Sequence, residues 1–372
     1  MSFQICSLHL PNETSHPKGS ASMRCMLLTA SAVLCFGSCL AQAQGTDSRK
    51  PADDSFGPGH RYGQTEAPDR TPGTLRIASY NVLNYFDDVD DPELSGEWDD
   101  KDLASTAEQL QALASSIRET DADVIALQEV ESRAALIRFR DQYLSDLGYQ
   151  HVGSLDAGYY RGVEQSVLSR IPITSISNWP GLSTADVRRV GPGFQPVPKN
   201  PVVAFQRSPL MVDLRTEDGY EFTLLVVHLK AGGKSHAYRR EAEGLKLLEL
   251  VTQMERDDPE RNIVVLGDFN AKYSYKSMRL LFEGGLVDTM QCRATEPSDE
   301  DTPLWVTHES GRTLDYILLN SAMYNEFVPG SSFVLGTLYP GDSSHYNWRT
   351  EDPPAGHASD HYPVAIEIIP VD

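Results

Sequence analysis

The sequence predicts an α/β protein. Short apolar runs recur along the chain and end in Asn, Glu, His or Asp. Segments with three- and four-residue apolar spacing lie between them, the period of a helix with one buried face. The composition, 40% hydrophobic and 23% charged, is that of an ordinary soluble globular protein.

The elements follow in order. Residues 1–22 are polar and unpatterned, and Met23 reads as the true start. Residues 23–43 read as a secretory signal: Arg24 supplies a positive charge, and Met26 to Leu40 is apolar but short for a membrane span. Ala41-Gln42-Ala43 gives a small-x-small cleavage site, so the mature protein is expected to be periplasmic or secreted. A lipid anchor at Cys39 is the alternative, and Phe36 three residues before it fits that pattern poorly. Residues 44–73, rich in Gly, Pro, Asp and Arg, read as a flexible leader, and 74–370 as the domain.

Within the domain, strands are expected at Leu75 to Asn81, Asp123 to Glu129 and Val163 to Ser169. A helix from Asp102 to Arg118 places Leu103, Thr106, Leu110, Leu113 and Ile117 on one face. A second spans Arg133 to Leu147. Val202 to Leu214 and Tyr220 to His228 form a hairpin around Thr216-Glu217-Asp218-Gly219. Ala237 to Met254 is helical, with Ala242, Leu245 and Leu248 aligned. Asn262 to Leu266 is a strand, followed by a helix near Lys276 to Glu283, and Thr313 to Leu319 and Tyr362 to Ile369 are strands.

The net charge of -21 argues against a protein that coats nucleic acid, which would carry a basic face. It permits an enzyme on phosphodiesters, because a metal ion and a few cations can reverse the local potential. Four of the five cysteines lie in the first 39 residues. The mature domain would keep only Cys292, a buried inert thiol with no disulfide partner, and zinc-site spacings are lacking.

Polar side chains at several strand ends can converge at one sheet edge, where ligands approach. Asp268 and Asn270 are two residues apart, so on an extended segment both point one way; an Asx-turn closing the strand is the alternative. Glu129 ends a run of apolar residues, where a carboxylate suits a hard cation such as magnesium. Glu131 reads as solvated. Asp315 lies among apolar neighbours, where an unpaired charge is costly, so a partner is expected. The run Asp87-Asp88-Val89-Asp90-Asp91, with Asp99-Asp100 beyond, lacks the spacing of a calcium loop and reads as an acidic solvated insertion.

Together with Asn81, His228 and Ser359-Asp360-His361-Tyr362, these motifs resemble the endonuclease/exonuclease/phosphatase superfamily, in its order, over residues 75–368. Asn81-Val82-Leu83-Asn84-Tyr85-Phe86 and His228-Leu229-Lys230-Ala231-Gly232-Gly233 look most like its secreted bacterial nucleases. The resemblance implies a four-layer sandwich of two mixed β-sheets flanked by helices. It makes His361 the partner of Asp315 and the group that activates water. Asp268 would handle a proton or the water held by the metal, and Asn270 would bind phosphate oxygens. Glu129 becomes the principal metal ligand, with Asn81 in support and Asp360 on the metal side. His228 would contact the scissile phosphate and protonate the leaving oxygen. Arg207 and Lys230 become phosphate contacts, although a solvated lysine explains Lys230 equally well. Tyr160, Arg161 and Glu164 fall where deoxyribonuclease-like members touch phosphate or pair with the active histidine. The metal would be magnesium or manganese, with calcium as a further option.

The expected function is a metal-dependent, extracytoplasmic nuclease on DNA or RNA, acting as a monomer without membrane insertion. The alternative is a phospholipid or inositol-phosphate phosphohydrolase on the same scaffold. Against it, Thr313-Leu314-Asp315-Tyr316 departs from the Trp-Cys-Asp-Arg motif of the inositol branch, and no run of exposed aromatics suits a membrane. A catalytically dead scaffold would not keep so many polar strand ends.

Overall fold

Strands that are apolar at every position need cover on both faces, and the chain supplies it by pairing two sheets and backing each with helices. A computed structural model describes residues 62–89, 103–290, 303–336 and 357–371. The elements are β1 (Leu75–Tyr85), α1 (Ala107–Thr120), β2 (Val124–Val130), α2 (Arg133–Tyr143), β3 (His151–Ser154), β4 (Glu164–Ser169), β5 (Ile173–Asn178) and β6 (Leu210–Arg215). They continue with β7 (Glu221–His228), α3 (Ala237–Asp257), β8 (Ile263–Asp268), α4 (Lys276–Glu283), β9 (Val287–Asp288), β10 (Asp315–Leu319), α5 (Ser321–Tyr324), β11 (Phe333–Val334) and β12 (Val364–Ile368).

One six-stranded sheet runs β11-β12-β1-β2-β4-β3, and the other β5-β6-β7-β8-β10-β9. Both are mixed: β1–β2 and β7–β8 are parallel, while β1–β12 and β8–β10 are antiparallel. Side chains of period two divide between the faces. Ile77, Val124 and Ala126 enter the core shared with the second sheet. Ala78, Tyr80, Ile125 and Leu127 pack outward on Leu113 and Ile117 of α1 and Leu136 and Phe139 of α2. Leu247 and Val251 of α3 and Met278 of α4 join the core of the second sheet.

Several boundaries differ from expectation. Helix α1 starts at Ala107 because the Thr106 hydroxyl caps it, accepting from Gln109 N at 3.2 Å. Helix α2 ends at Tyr143, before the expected Leu147. The hairpin strand begins at Leu210 rather than Val202, just after Pro209, which has no N–H to give a ladder. Strand β1 runs past Asn81 to Tyr85, with its pairing to β2 broken where Leu83 and Asn84 take positive φ. The short strands β3, β5, β9 and β11 carry too little periodicity to be expected from sequence.

The acidic insertion is also corrected at its start. Asp87 is buried and ion-paired with Arg138 rather than solvated. Glu131 is buried as well and accepts from Asp87 N at 3.2 Å. The signal-like segment, Cys39, the leader up to residue 61, Asp90 to Asp100 of the acidic stretch and Cys292 lie outside the described residues. No described helix is long and apolar enough to cross a membrane.

Candidate active site

Strand register builds the site. His228 at the end of β7 pairs with Asp268 at the end of β8, and Asp268 pairs with Asp315 at the start of β10. Three of the expected residues thus form one row across the second sheet. The first sheet brings Asn81 from β1, where its regular pairing with β2 stops, Glu129 from near the end of β2, and Asp360 and His361 just ahead of β12. The site lies where the two sheets meet at this edge.

Gly267 makes the row possible. Its φ is +139°, and a Cβ there would lie 1.9 Å from the Val227 carbonyl oxygen, so only glycine lets β7 and β8 close together. Glu129 and Asn270 also hold positive φ, at 67° and 49°. For non-glycine residues this is costly and marks positions that the surroundings force.

Asp268 is the hub. It accepts from Asn81 Nδ2 at 3.2 Å, Asn270 N at 2.7 Å and Asn270 Nδ2 at 3.0 Å. His228 Nε2 is 3.3 Å from it and His361 Nε2 3.8 Å. The nearness of Asn270 to Asp268 does not come from a continuing strand: β8 ends at Asp268, and an Asx-turn folds Asn270 back. The turn and the polar cluster are the same feature. Lys230 is likewise beyond the end of its strand, β7.

His361 Nδ1 donates to Asp315 Oδ2 at 2.8 Å, which leaves Nε2 toward Asp268 and Asp360. The Thr307 hydroxyl donates to the same Asp315 oxygen at 2.7 Å and accepts from Leu314 N and Asp315 N. Ser359 Oγ accepts from His361 N and donates to the Asn81 carbonyl, tying the β12 approach to β1. Glu129 Oε2 accepts from Asn84 N at 3.1 Å, and its Oε1 is 3.8 Å from His228 Nε2.

The electrostatics follow from burial and from the crowding of carboxylates. Burial raises Asp268 to about 7, partly opposed by the charge of His361. Burial works against a charged His361, but Asp315 and Asp268 outweigh it and hold the imidazole up at about 10. Burial, then the cations of Arg207 and His361, pushes His228 well down. His228 Nε2 faces the carboxylates of Asp268 and Glu129. Burial also opposes the charge of Asp360, but His308 and His361 hold it down at about 2.

His308 was missed in the sequence. Its Nδ1 accepts from Ser310 N at 2.8 Å, which places the proton on Nε2, 3.4 Å from Asp360 Oδ2. Its ring stands edge-on to His361, with centroids 4.5 Å apart. His308 lies three residues past the Pro303–Trp305 turn and seven before β10, with no periodic pattern around it. Thr307 carries no sequence signal, and Ser359 only its place in the Ser359-Asp360-His361-Tyr362 motif.

The remaining expected residues divide. Arg207 is buried, donates to the Leu229 carbonyl at 3.4 Å and stacks over Tyr159 at 4.4 Å. Arg161 bonds Asn84, whose backbone holds Glu129. The Lys230 side chain shares this rim; burial, then Arg207 and Arg239, lowers its pKa. Tyr160 is exposed beside Tyr159, with ring centroids 4.7 Å apart. Glu164 is the residue that the structure does not bring to the cluster. It is buried at the start of β4, where its carboxylate accepts from Ala157 N, and burial raises it to about 8. His228 Nδ1 has no hydrogen-bond partner, so Glu164 does not pair with it.

The donor set suits a hard cation. Glu129, Asp268 and Asp360 offer oxygens, and Asp360 Oδ1 is buried without a hydrogen-bond partner. Asp360 groups with His308 and His361, and Asp268 with Asp315 and His361, closely enough to hold an ion.

Comparison with known proteins agrees with this fold. Residues 78–361 match the Endonuclease/Exonuclease/phosphatase family. None of the curated proteins matches the sequence significantly. Among solved structures, the human Nocturnin catalytic domain with bound sulfate superposes with a TM-score of 0.51 at 18% identity, over 79% of this chain and 94% of that one. A mannosyl-6-phosphatase of Bacteroides thetaiotaomicron gives 0.50 at 17%, over 79% and 99%. A family protein from the same organism gives 0.50 at 17%, over 80% and 98%.

Proposed function

This chain belongs to the endonuclease/exonuclease/phosphatase family of phosphate-ester hydrolases, and from that premise we propose that it is an extracytoplasmic, metal-dependent phosphodiesterase acting on DNA or RNA. The observation that carries the reading is the row His228–Asp268–Asp315, closed by His361 and edged by Arg161, Arg207 and Lys230 in a protein of net charge -21. Cations concentrated at one site of an acidic protein suit a phosphate group.

The roles follow from the geometry. Asp315 holds His361 in the tautomer that presents Nε2, and His361 takes a proton from the attacking water with Asp268 beside it. Neutral His228 and Asn270 donate to phosphate oxygens. Arg207 and Lys230 add positive charge at the rim. A divalent cation held by Glu129 and Asp360, with Asn81 at its edge, would offset charge on the phosphate and lower the pKa of His361 toward neutrality. Magnesium or manganese fits an oxygen-rich set better than softer metals, and calcium is the comparison to include.

Nucleic acid is favoured over lipid or sugar phosphate for two reasons. The Asn81–Phe86 and His228–Gly233 segments resemble secreted nucleases, and exposed Tyr160 beside Arg161 offers a ring on which a base can stack. The signal-like segment supports export. The test is a rate comparison on plasmid DNA, RNA, sphingomyelin vesicles and sugar phosphates, with chelator and with each metal. Nucleic acid should be cleaved fastest, without base preference, and more weakly as salt rises. Vesicle hydrolysis with inert DNA and RNA would move the assignment to the lipid branch. Full activity in excess chelator would remove the metal.

A further inference from the structure

A cleft of about 550 Å³ has no part in the chemistry above. It is bordered by the starts of α3 and α4 and by residues 192–195. Its wall is tied to the site on two sides. Arg240 donates to the Lys230 carbonyl at 3.0 Å and to those of Gly232 and Gly233, on the segment that follows His228. Ser274, four residues beyond Asn270, lines the cleft directly.

Three independent features of this cleft favour an anion. First, Lys234, Arg240, Lys276 and Arg279 all line it. Second, Arg240 is only 1% exposed, and its Nε has no hydrogen-bond partner. Third, neither α3 nor α4 has a side-chain cap or an acidic residue in its first turn, so both positive ends are unopposed there. The carboxylates of the wall do not cancel this. Glu241 is turned to Arg189 and to Gln195 N. Glu283 is the remaining counter-charge, 3.2 Å from Lys276 and 3.9 Å from Arg279.

We infer that this cleft is a second phosphate subsite, which holds a phosphate of the substrate other than the one hydrolysed. The inference rests on the phosphodiesterase reading and adds to it a requirement for a substrate with at least two phosphates. Such a phosphate is either an internal one of a polynucleotide chain or a terminal monoester.

The test uses the full-length protein, a Lys276→Ala/Arg279→Ala double variant and Glu283→Gln. Substrates are bis(p-nitrophenyl) phosphate, with a single phosphate, and pentathymidylate with and without a 5′-phosphate. The double variant should raise KM for pentathymidylate about tenfold at low salt, the scale of lost phosphate contacts, and leave turnover of the single-phosphate diester as it was. Glu283→Gln frees both cations and should lower KM for pentathymidylate severalfold, an improvement that a purely structural role does not give. A gain that needs the 5′-phosphate identifies the terminal monoester; an equal gain without it identifies a chain phosphate. KM values within twofold of the parent for both variants, or equal losses on both substrates, would overturn the subsite. Anisotropy of labelled pentathymidylate in chelator separates the two claims. Weaker binding by the double variant and tighter binding by Glu283→Gln keep the subsite even if no diester is hydrolysed. Identical binding by all three proteins removes it.

Discussion

Replacing Asp315 by Asn tests the proton-handling pair with little change of shape. Asp315 Oδ2 receives both the Thr307 hydroxyl at 2.7 Å and His361 Nδ1 at 2.8 Å. Two donors facing one oxygen fix the amide of Asn with its oxygen in that place. The imidazole therefore keeps its tautomer and loses only the charge of its partner. A charge-assisted hydrogen bond contributes about 1.5–3 kcal/mol and a neutral one about 0.5–1.5, so the loss is roughly 1–1.5 kcal/mol, or about tenfold in rate. Asp315 is also the largest influence raising His361 against burial, so its loss should move the acid limb of the pH–rate profile to lower pH. The assay is hydrolysis of bis(p-nitrophenyl) phosphate across pH in saturating metal. Adding Thr307→Val frees the amide to flip and should deepen the defect. Stability carries the matching signature. With its pKa raised, His361 stabilises the fold fully below its unfolded value of about 6.5, and this is lost as pH rises through about 10. The stability gap between parent and variant should therefore close above that pH. An unmoved acid limb with a rate within twofold of the parent would refute the pairing.

Gly267→Ala should destabilise the protein by at least about 3 kcal/mol, because its Cβ meets the Val227 carbonyl at 1.9 Å and φ is +139°; thermal unfolding shows this, and an unchanged midpoint would contradict the close approach of β7 and β8. Glu129→Gln should raise the metal concentration for half-maximal activity about tenfold or more while leaving the folded signal intact, since it removes one of the few carboxylates available to a hard cation; a metal titration of activity reads this, and an unchanged midpoint argues against Glu129 as a ligand. Arg76→Ala strands Glu367, its partner at 2.8 Å in the interior, and should lower stability by about 3–5 kcal/mol. Although burial raises Glu367, Thr71 and Arg76 outweigh it and leave its pKa lowered. The parent should therefore hold this stability above the unfolded glutamate value and lose it as pH falls through the folded one, whereas the variant should show a smaller acid-side loss in urea unfolding.

The alternation of strands and helices and most of the polar strand ends were legible in the amino-acid sequence. Apolar runs as continuous as Val264 to Leu266 can be stable only inside a sheet covered on both faces, and a polar residue that ends such a run must lie at the sheet edge. Helix α4 was legible in outline, near Lys276 to Glu283, because turn residues bound it. Which of the strand ends meet was not legible there and is set by packing in three dimensions. No local pattern sets the register that puts His228, Asp268 and Asp315 in one row, because pairing between strands is fixed by packing and by the glycine that lets β7 and β8 close. The place of Asn270 was decided by a turn with positive φ rather than by strand alternation. Glu164 was out of reach of sequence reasoning for the same cause: a carboxylate at a strand start can satisfy itself on a nearby backbone N–H, and here Ala157 supplies one. His308 shows the converse, a residue without local signal that gains a partner in Asp360 only when the approach to β12 lies against the approach to β10.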